Sequence, residues 1–95
     1  MEISQPIVPE DPVVKLMVEI IQRLVDNEQS VRVTCVEKAG LTTLNVHVAH
    51  SDTGKLIGKQ GRTARSLRTV LSAAGMKLHH RYALNIEEEE RATQA

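Results

Sequence analysis

The sequence predicts an α+β domain with the element order αββααβ: a three-stranded mixed sheet with three helices packed on one face. Three observations carry this. An amphipathic stretch at residues 13–25 repeats its apolar positions with helical spacing, and two alternating stretches follow on either side of Ala39-Gly40. Two helical segments then meet at a pair of glycines, Gly58 and Gly61, and lead into a last alternating segment at residues 81–86.

Taken in order, residues 1–10 hold Pro6 and Pro9 without a sustained period and read as a flexible arm. Asp11 is placed to cap a helix that opens on Pro12, where a missing N–H costs nothing. Val13, Leu16, Met17, Ile20, Ile21, Leu24 and Val25 form its expected apolar stripe, with the end near Asp26-Asn27. Val31, Val33 and Cys35 alternate with polar residues as a half-buried strand does, and Leu44, Val46 and Val48 repeat the pattern after the Ala39-Gly40 turn.

Ser51 or Asp52 is placed to cap a short helix carrying Leu56 and Ile57. A longer helix is expected over residues 62–74, with Ala64, Leu67, Val70, Leu71 and Ala74 inward and Gly75 as its stop. Residues 76–80 read as a loop, and Tyr82, Leu84 and Ile86 alternate in the last strand. The domain is thus expected over residues 11–86, and Glu87 to Glu90 open an acidic flexible tail over residues 87–95. The second strand, the helical pair and the last strand make a right-handed crossover, which sets those two strands parallel. The first strand pairs antiparallel to the second.

Composition narrows the function. At 95 residues the chain is one domain, with 41% hydrophobic and 25% charged residues. Tyr82 is the lone aromatic, which argues against a binding surface built on base stacking. The formal net charge is zero, yet it is segregated: between Asp52 and Arg81 stand Lys55, Lys59, Arg62, Arg65, Arg68, Lys77 and Arg81 against the single acid Asp52. Such a local field steers a polyanion to one face. A single cysteine, Cys35, excludes an internal disulfide and fits a reducing compartment. No signal-peptide pattern and no membrane-length apolar run are present, so a cytoplasmic location is expected.

The chemistry gathers at Gly58-Lys59-Gln60-Gly61. A Gly-x-x-Gly turn between two helices lets backbone approach backbone and leaves a helix N-terminus facing an incoming anion. Amides near Gly61 and Arg62 are expected to meet phosphates, with Lys59, Arg62, Arg65 and Arg68 adding attraction and Gln60 a hydrogen bond. Lys55 and Ile57 lie just before the turn, and Lys77 joins the set from the far side of the second helix. Leu56, Ile57, Ala64 and Leu67 are candidates for a groove floor under the bases, and serve equally as core. His79 and His80 are either backbone contacts or an idle surface pair.

The stretch Gly54-Lys55-Leu56-Ile57-Gly58-Lys59-Gln60-Gly61-Arg62-Thr63-Ala64-Arg65-Ser66-Leu67-Arg68-Thr69-Val70 resembles the K-homology (KH) signature, whose GXXG loop clamps about four nucleotides. It is similar, in this extended form, to the small bacterial KhpA family of single-KH-domain RNA-binding proteins. That resemblance implies a type II KH fold, in which the segment holding Lys77, His79 and His80 lies near the groove's other wall. The small Ala64 stands where many KH domains carry a larger aliphatic, so the implied grip on bases is permissive. The resemblance implies an RNA-chaperone or post-transcriptional role tied to cell elongation and cell-envelope homeostasis. It also implies homodimers and a larger KhpB partner (Jag or EloR). RNA rather than single-stranded DNA rests on the resemblance. An adaptor whose GXXG face mainly assembles proteins is the alternative.

Enzymatic readings fail on spacing. A P-loop would need one more residue and a Ser or Thr where Gln60 stands. Cys35, His47, His50, His79 and His80 lack zinc-ligand spacing. No cofactor or metal is expected.

Overall fold

The computed structural model describes residues 11–87; the predicted arm over residues 1–10 and the tail beyond Glu87 lie outside the described residues. Helix α1 spans Pro12–Leu24, strands β1 and β2 span Arg32–Lys38 and Leu41–His47, α2 spans His50–Ile57, α3 spans Arg62–Leu78 and β3 spans Arg81–Ile86. The order is the αββααβ expected. Strand β2 is central, antiparallel to β1 and parallel to β3.

Period-two alternation sorts the side chains between the faces. Val33, Val46 and Ile86 share one row across the strands, and Cys35, Leu44 and Leu84 the next. Val33, Leu44, Val46 and Leu84 are buried and merge with Val14, Met17 and Ile21 of α1, Leu56 of α2, and Leu67 and Leu71 of α3. The helices therefore cover one sheet face, and a single core holds all six elements. The hairpin closes through Ala39 (φ 51°) and Gly40 (φ 81°), both left-handed, as a two-residue loop matched to strand twist requires.

Asp11 caps α1 as its residue type predicts: its Oδ1 accepts from the Val13 amide at 2.9 Å. Its Oδ2 accepts from the Tyr82 hydroxyl at 2.6 Å, tying the start of the domain to its last strand. Burial, with Asp11 beside it, pushes the Tyr82 phenol up to about 12. The stripe of α1 is turned from the expected one. Val14, Met17 and Ile21 are buried, while Leu16 and Leu24 are 50% and 40% exposed. Two apolar rows overlap on this helix, and the sequence period fits either.

Helix α3 does not stop at Gly75, and residues 76–78, expected in a loop, are helical. Gly75 is buried inside the helix; a Cβ there would run into the His80 carbonyl oxygen and come within 3.0 Å of Tyr82 Cδ2. It is a packing glycine. The stop falls at His79, in the left-handed region at φ 57°. His80 then turns inward, with Nε2 2.8 Å from Thr42 Oγ1 and its ring edge-on to Tyr82 at 4.8 Å.

Candidate nucleic-acid interface

Helix α2 brings the turn into position, and Asp52 brings α2 into position. Neither Ser51 nor Asp52 caps α2; the N-cap is Ala49, with no side-chain hydrogen bond. Asp52 is instead 1% exposed, and its two oxygens accept from the amides of Asp26 (3.1 Å) and Asn27 (2.9 Å). It satisfies the chain where α1 ends. Those amides, Asn27 first, hold its carboxyl below the ordinary carboxylate range.

Lys55, one turn further on, has its Nζ 3.3 Å from Asp26 and 3.6 Å from Asp52. Asp26, and less so Asp52, raise its pKa. Counted from sequence among the cations facing the ligand, Lys55 is thus engaged by two carboxylates of the anchor.

The turn itself is set by backbone. Gly58 ends α2 by donating to the Gly54 carbonyl at 2.8 Å, at φ 76° and ψ 172°, a region essentially reserved for glycine. A Cβ on Gly58 would stand 2.8 Å from the Thr63 backbone nitrogen and against its hydroxyl. The exit from α2 at Gly58 and the first turn of α3 therefore touch. Gln60 (φ 54°) and Gly61 (φ 74°) are both left-handed, which throws Lys59 and Gln60 outward, both exposed.

The amides of Gly61 and Arg62, expected to face phosphates, already donate within the turn, to Gly58 and Lys59 carbonyls. What remains for an anion is the start of α3, which no side chain caps, and the cations around it.

Arg62 and Arg65 are exposed on the first turn of α3, and Arg65 Nη2 reaches toward the Gln60 carbonyl at 3.5 Å. Arg68 lies a turn on, donating from Nε to the Leu84 carbonyl on the outer edge of β3 at 3.1 Å. The structure thus gathers Ile57, Gly58, Lys59, Gln60, Gly61, Arg62 and Arg65 at one end of α3, with Arg68 on the path toward β3. Beyond them a shallow trough continues along α3 past Thr69, Ser72, Ala73 and Met76.

Lys77 is not gathered. It is exposed near the far end of α3, about 22 Å from Arg62 by helical rise. Of the candidate floor, Leu56, Ala64 and Leu67 are buried core, and Ile57 alone is half-exposed. Among the described residues, no three His, Cys, Asp or Glu side chains gather as a metal site. No described helix is long and apolar enough to cross a membrane.

Comparison with known proteins places this geometry. Residues 14–86 match the family model described as the KH domain of KhpA/KhpB. The chain is 46% identical over 67 residues to RNA-binding protein KhpA of Aquifex aeolicus, covering 70% of this chain and 85% of that one. Over 72 residues it is 47% identical to RNA-binding protein KhpA of Treponema pallidum, covering 76% and 90%. Among solved structures, the chain resembles Era in complex with MgGDPNP and nucleotides 1506–1542 of 16S ribosomal RNA. The TM-score is 0.54 at 16% identity, covering 90% of this chain but 35% of that one, and shows a shared fold.

Proposed function

The chain belongs to the KhpA/KhpB KH-domain family, and from that premise we propose that it binds single-stranded RNA through the turn at residues 58–61. A KH domain is a binding module, and the protein is not an enzyme. The observation that carries the reading is the exposed charge set out at the start of α3 by Gly58. The conformation of Gly58 and its contact with Thr63 admit no side chain, and the result is an outward Lys59-Gln60 pair beside an uncapped helix start. Relatives that bear the name RNA-binding protein support the choice of ligand.

In this reading Lys59, Arg62 and Arg65 neutralise successive phosphates, Gln60 hydrogen-bonds a sugar or phosphate, and the dipole of α3 adds a partial positive charge. Ile57 offers the apolar surface for a base. Lys55 tunes the site through its carboxylate partners, and Lys77 serves the far end of a longer strand. Backbone contacts dominate this set, so sequence preference is modest. The function that follows is that of an RNA chaperone or post-transcriptional regulator in the cytoplasm, tied to cell elongation and envelope homeostasis. Residues 11–86 form the working domain, flanked by an arm and an acidic tail. Because one clamp touches about four nucleotides, homodimers or a KhpB-type partner raise avidity by linking sites.

The test is binding of a fluorescent five-nucleotide RNA across a salt series. Wild type should bind with affinity falling as salt rises, and Lys59→Asp with Gln60→Asp, folded by circular dichroism, should not. Equal binding by both would remove the turn from the RNA site. No binding by either would favour a protein-assembly adaptor.

A further inference from the structure

The helices use one face of the sheet, and the other face has its own pattern. Across it run the rows Arg32–His47, Thr34–Asn45–Asn85, Val36–Thr43–Ala83 and Lys38–Leu41–Arg81. Three cations, Arg32, Lys38 and Arg81, stand at its ends, all exposed. Among the described residues none of them is ion-paired. Glu37 alternates to the opposite side. Among the described residues the acid on this face is Glu87, at one corner, where its carboxylate accepts from Asn85 at 3.3 Å. Between the charges lie the hydroxyls and amides of Thr34, Thr43, Asn45 and Asn85, with Asn85 donating to Asn45 at 3.0 Å, beside the apolar Val36, Leu41 and Ala83.

At the Arg32–His47 end the surface dips into a hollow lined by Gln29, Ser30, Arg32, Thr34, His47 and Ala49. An amide, two hydroxyls, a guanidinium and the His47 imidazole line this hollow with Val48 and Ala49, and among the described residues no carboxylate does. From Arg32 to Lys38 the face runs about 20 Å, and from Lys38 across to Arg81 about 10 Å. It has no Phe, Tyr or Trp, and the His47 imidazole at one end is its single ring among the described residues, so base stacking contributes little across it. Its charge and its hydrogen-bonding groups complement a sugar-phosphate chain.

We infer that the helix-free sheet face is a second, sequence-independent contact surface for the backbone of an RNA longer than the turn can hold. This rests on the RNA-binding reading above and extends it to a part of the molecule the GXXG loop does not include. The two surfaces lie on opposite sides of the sheet, so their charges are separated by about a Debye length or more at physiological salt. Short strands engage the turn alone, and longer strands reach both.

The experiment compares five- and twenty-nucleotide oligouridylates on the full chain and on Arg32→Gln/Lys38→Gln/Arg81→Gln, across a salt series, with folding checked by circular dichroism. The triple variant should bind the twenty-mer about tenfold more weakly, with a salt slope shallower by about two for three lost phosphate contacts. Its affinity for the five-mer should stay within twofold of wild type. The pair Lys38→Gln/Arg81→Gln should give part of the twenty-mer loss, which guards against a folding defect of the triple variant. Unchanged twenty-mer binding, in affinity and slope, would overturn the inference. So would an equal loss for both lengths, because the cations would then act through the general field. Failure of the unaltered chain to bind the five-mer would strike the RNA reading itself, and is told apart because no substitution is involved.

Discussion

The two ends of α3 solve similar backbone problems for different purposes. At one end Gly58 meets Thr63, and at the other Gly75 meets His80 and Tyr82; neither has room for a Cβ. Each end also holds a non-glycine residue in the left-handed region, Gln60 and His79. Around Gly75 the space is filled by a buried contact, with His80 and Thr42 satisfied against each other. Around Gly58 the same economy of space pushes side chains outward and leaves charge exposed at an uncapped helix start. A close-packed glycine therefore does not announce a ligand. In the proposed reading, what singles out the turn is the unspent charge beside it.

That contrast can be broken by substitution, beginning with the largest effect. Gly58→Ala combines a glycine-only conformation with a clash against backbone, and should cost about 3 kcal/mol and abolish RNA binding, read by thermal melts and anisotropy. Gly75→Ala has ordinary helical dihedrals, so a helix-propensity gain of up to ~1 kcal/mol offsets overpacking of ~3; a net loss of about 2 kcal/mol is expected. The folded fraction should still bind five-nucleotide RNA as wild type does. If the Gly75 variant lost RNA binding while folded, the two ends would not be separable.

Gln60→Gly and His79→Gly should each stabilise by up to ~1 kcal/mol by removing left-handed strain, seen as a Tm rise of a few degrees. Only the first should change RNA affinity, because only Gln60 faces the ligand.

The anchor at Asp52 sharpens the comparison through pH. Its folded pKa is lowered, so its stabilisation is present above the unfolded value of about 4 and is lost as pH falls through the folded value. Wild type should lose stability on acidification below about pH 4, and Asp52→Asn should flatten that loss while lowering Tm at neutral pH. Tyr82 works with the opposite sign. Its phenol is raised to about 12, so its contribution is complete below pH 10 and lost between about 10 and 12. Tyr82→Phe should remove that alkaline step in a pH series of thermal melts.

Much of this was legible in the residues. Asp11 capped its helix, the alternating strands took their expected partners, and the turn at residues 58–61 fell between two helices, because each is written in local pattern. The misreadings share a cause. Gly75 looked like a helix stop because its partners, His80 and Tyr82, meet it only after the chain turns back. Asp52 looked like a cap for its own helix, whereas its amides belong to the distant Asp26-Asn27 segment. Lys55 looked like free charge for the same reason, since Asp26 is far off in sequence. The stripe of α1 was ambiguous because apolar residues occupy more than half its circumference. The basic sheet face was hidden by alternation: Arg32 and Lys38 stand at the two ends of β1, and register alone brings Arg81 of β3 to the same surface.

The most direct test of the central claim is an amide-resolved NMR titration of the 95-residue chain with a five-nucleotide single-stranded RNA. The account predicts that the largest shifts fall between Ile57 and Arg65, extend along α3 through Arg68 toward the edge of β3, and vanish in Lys59→Asp/Gln60→Asp. Shifts centred elsewhere, with residues 57–65 unmoved, would contradict it.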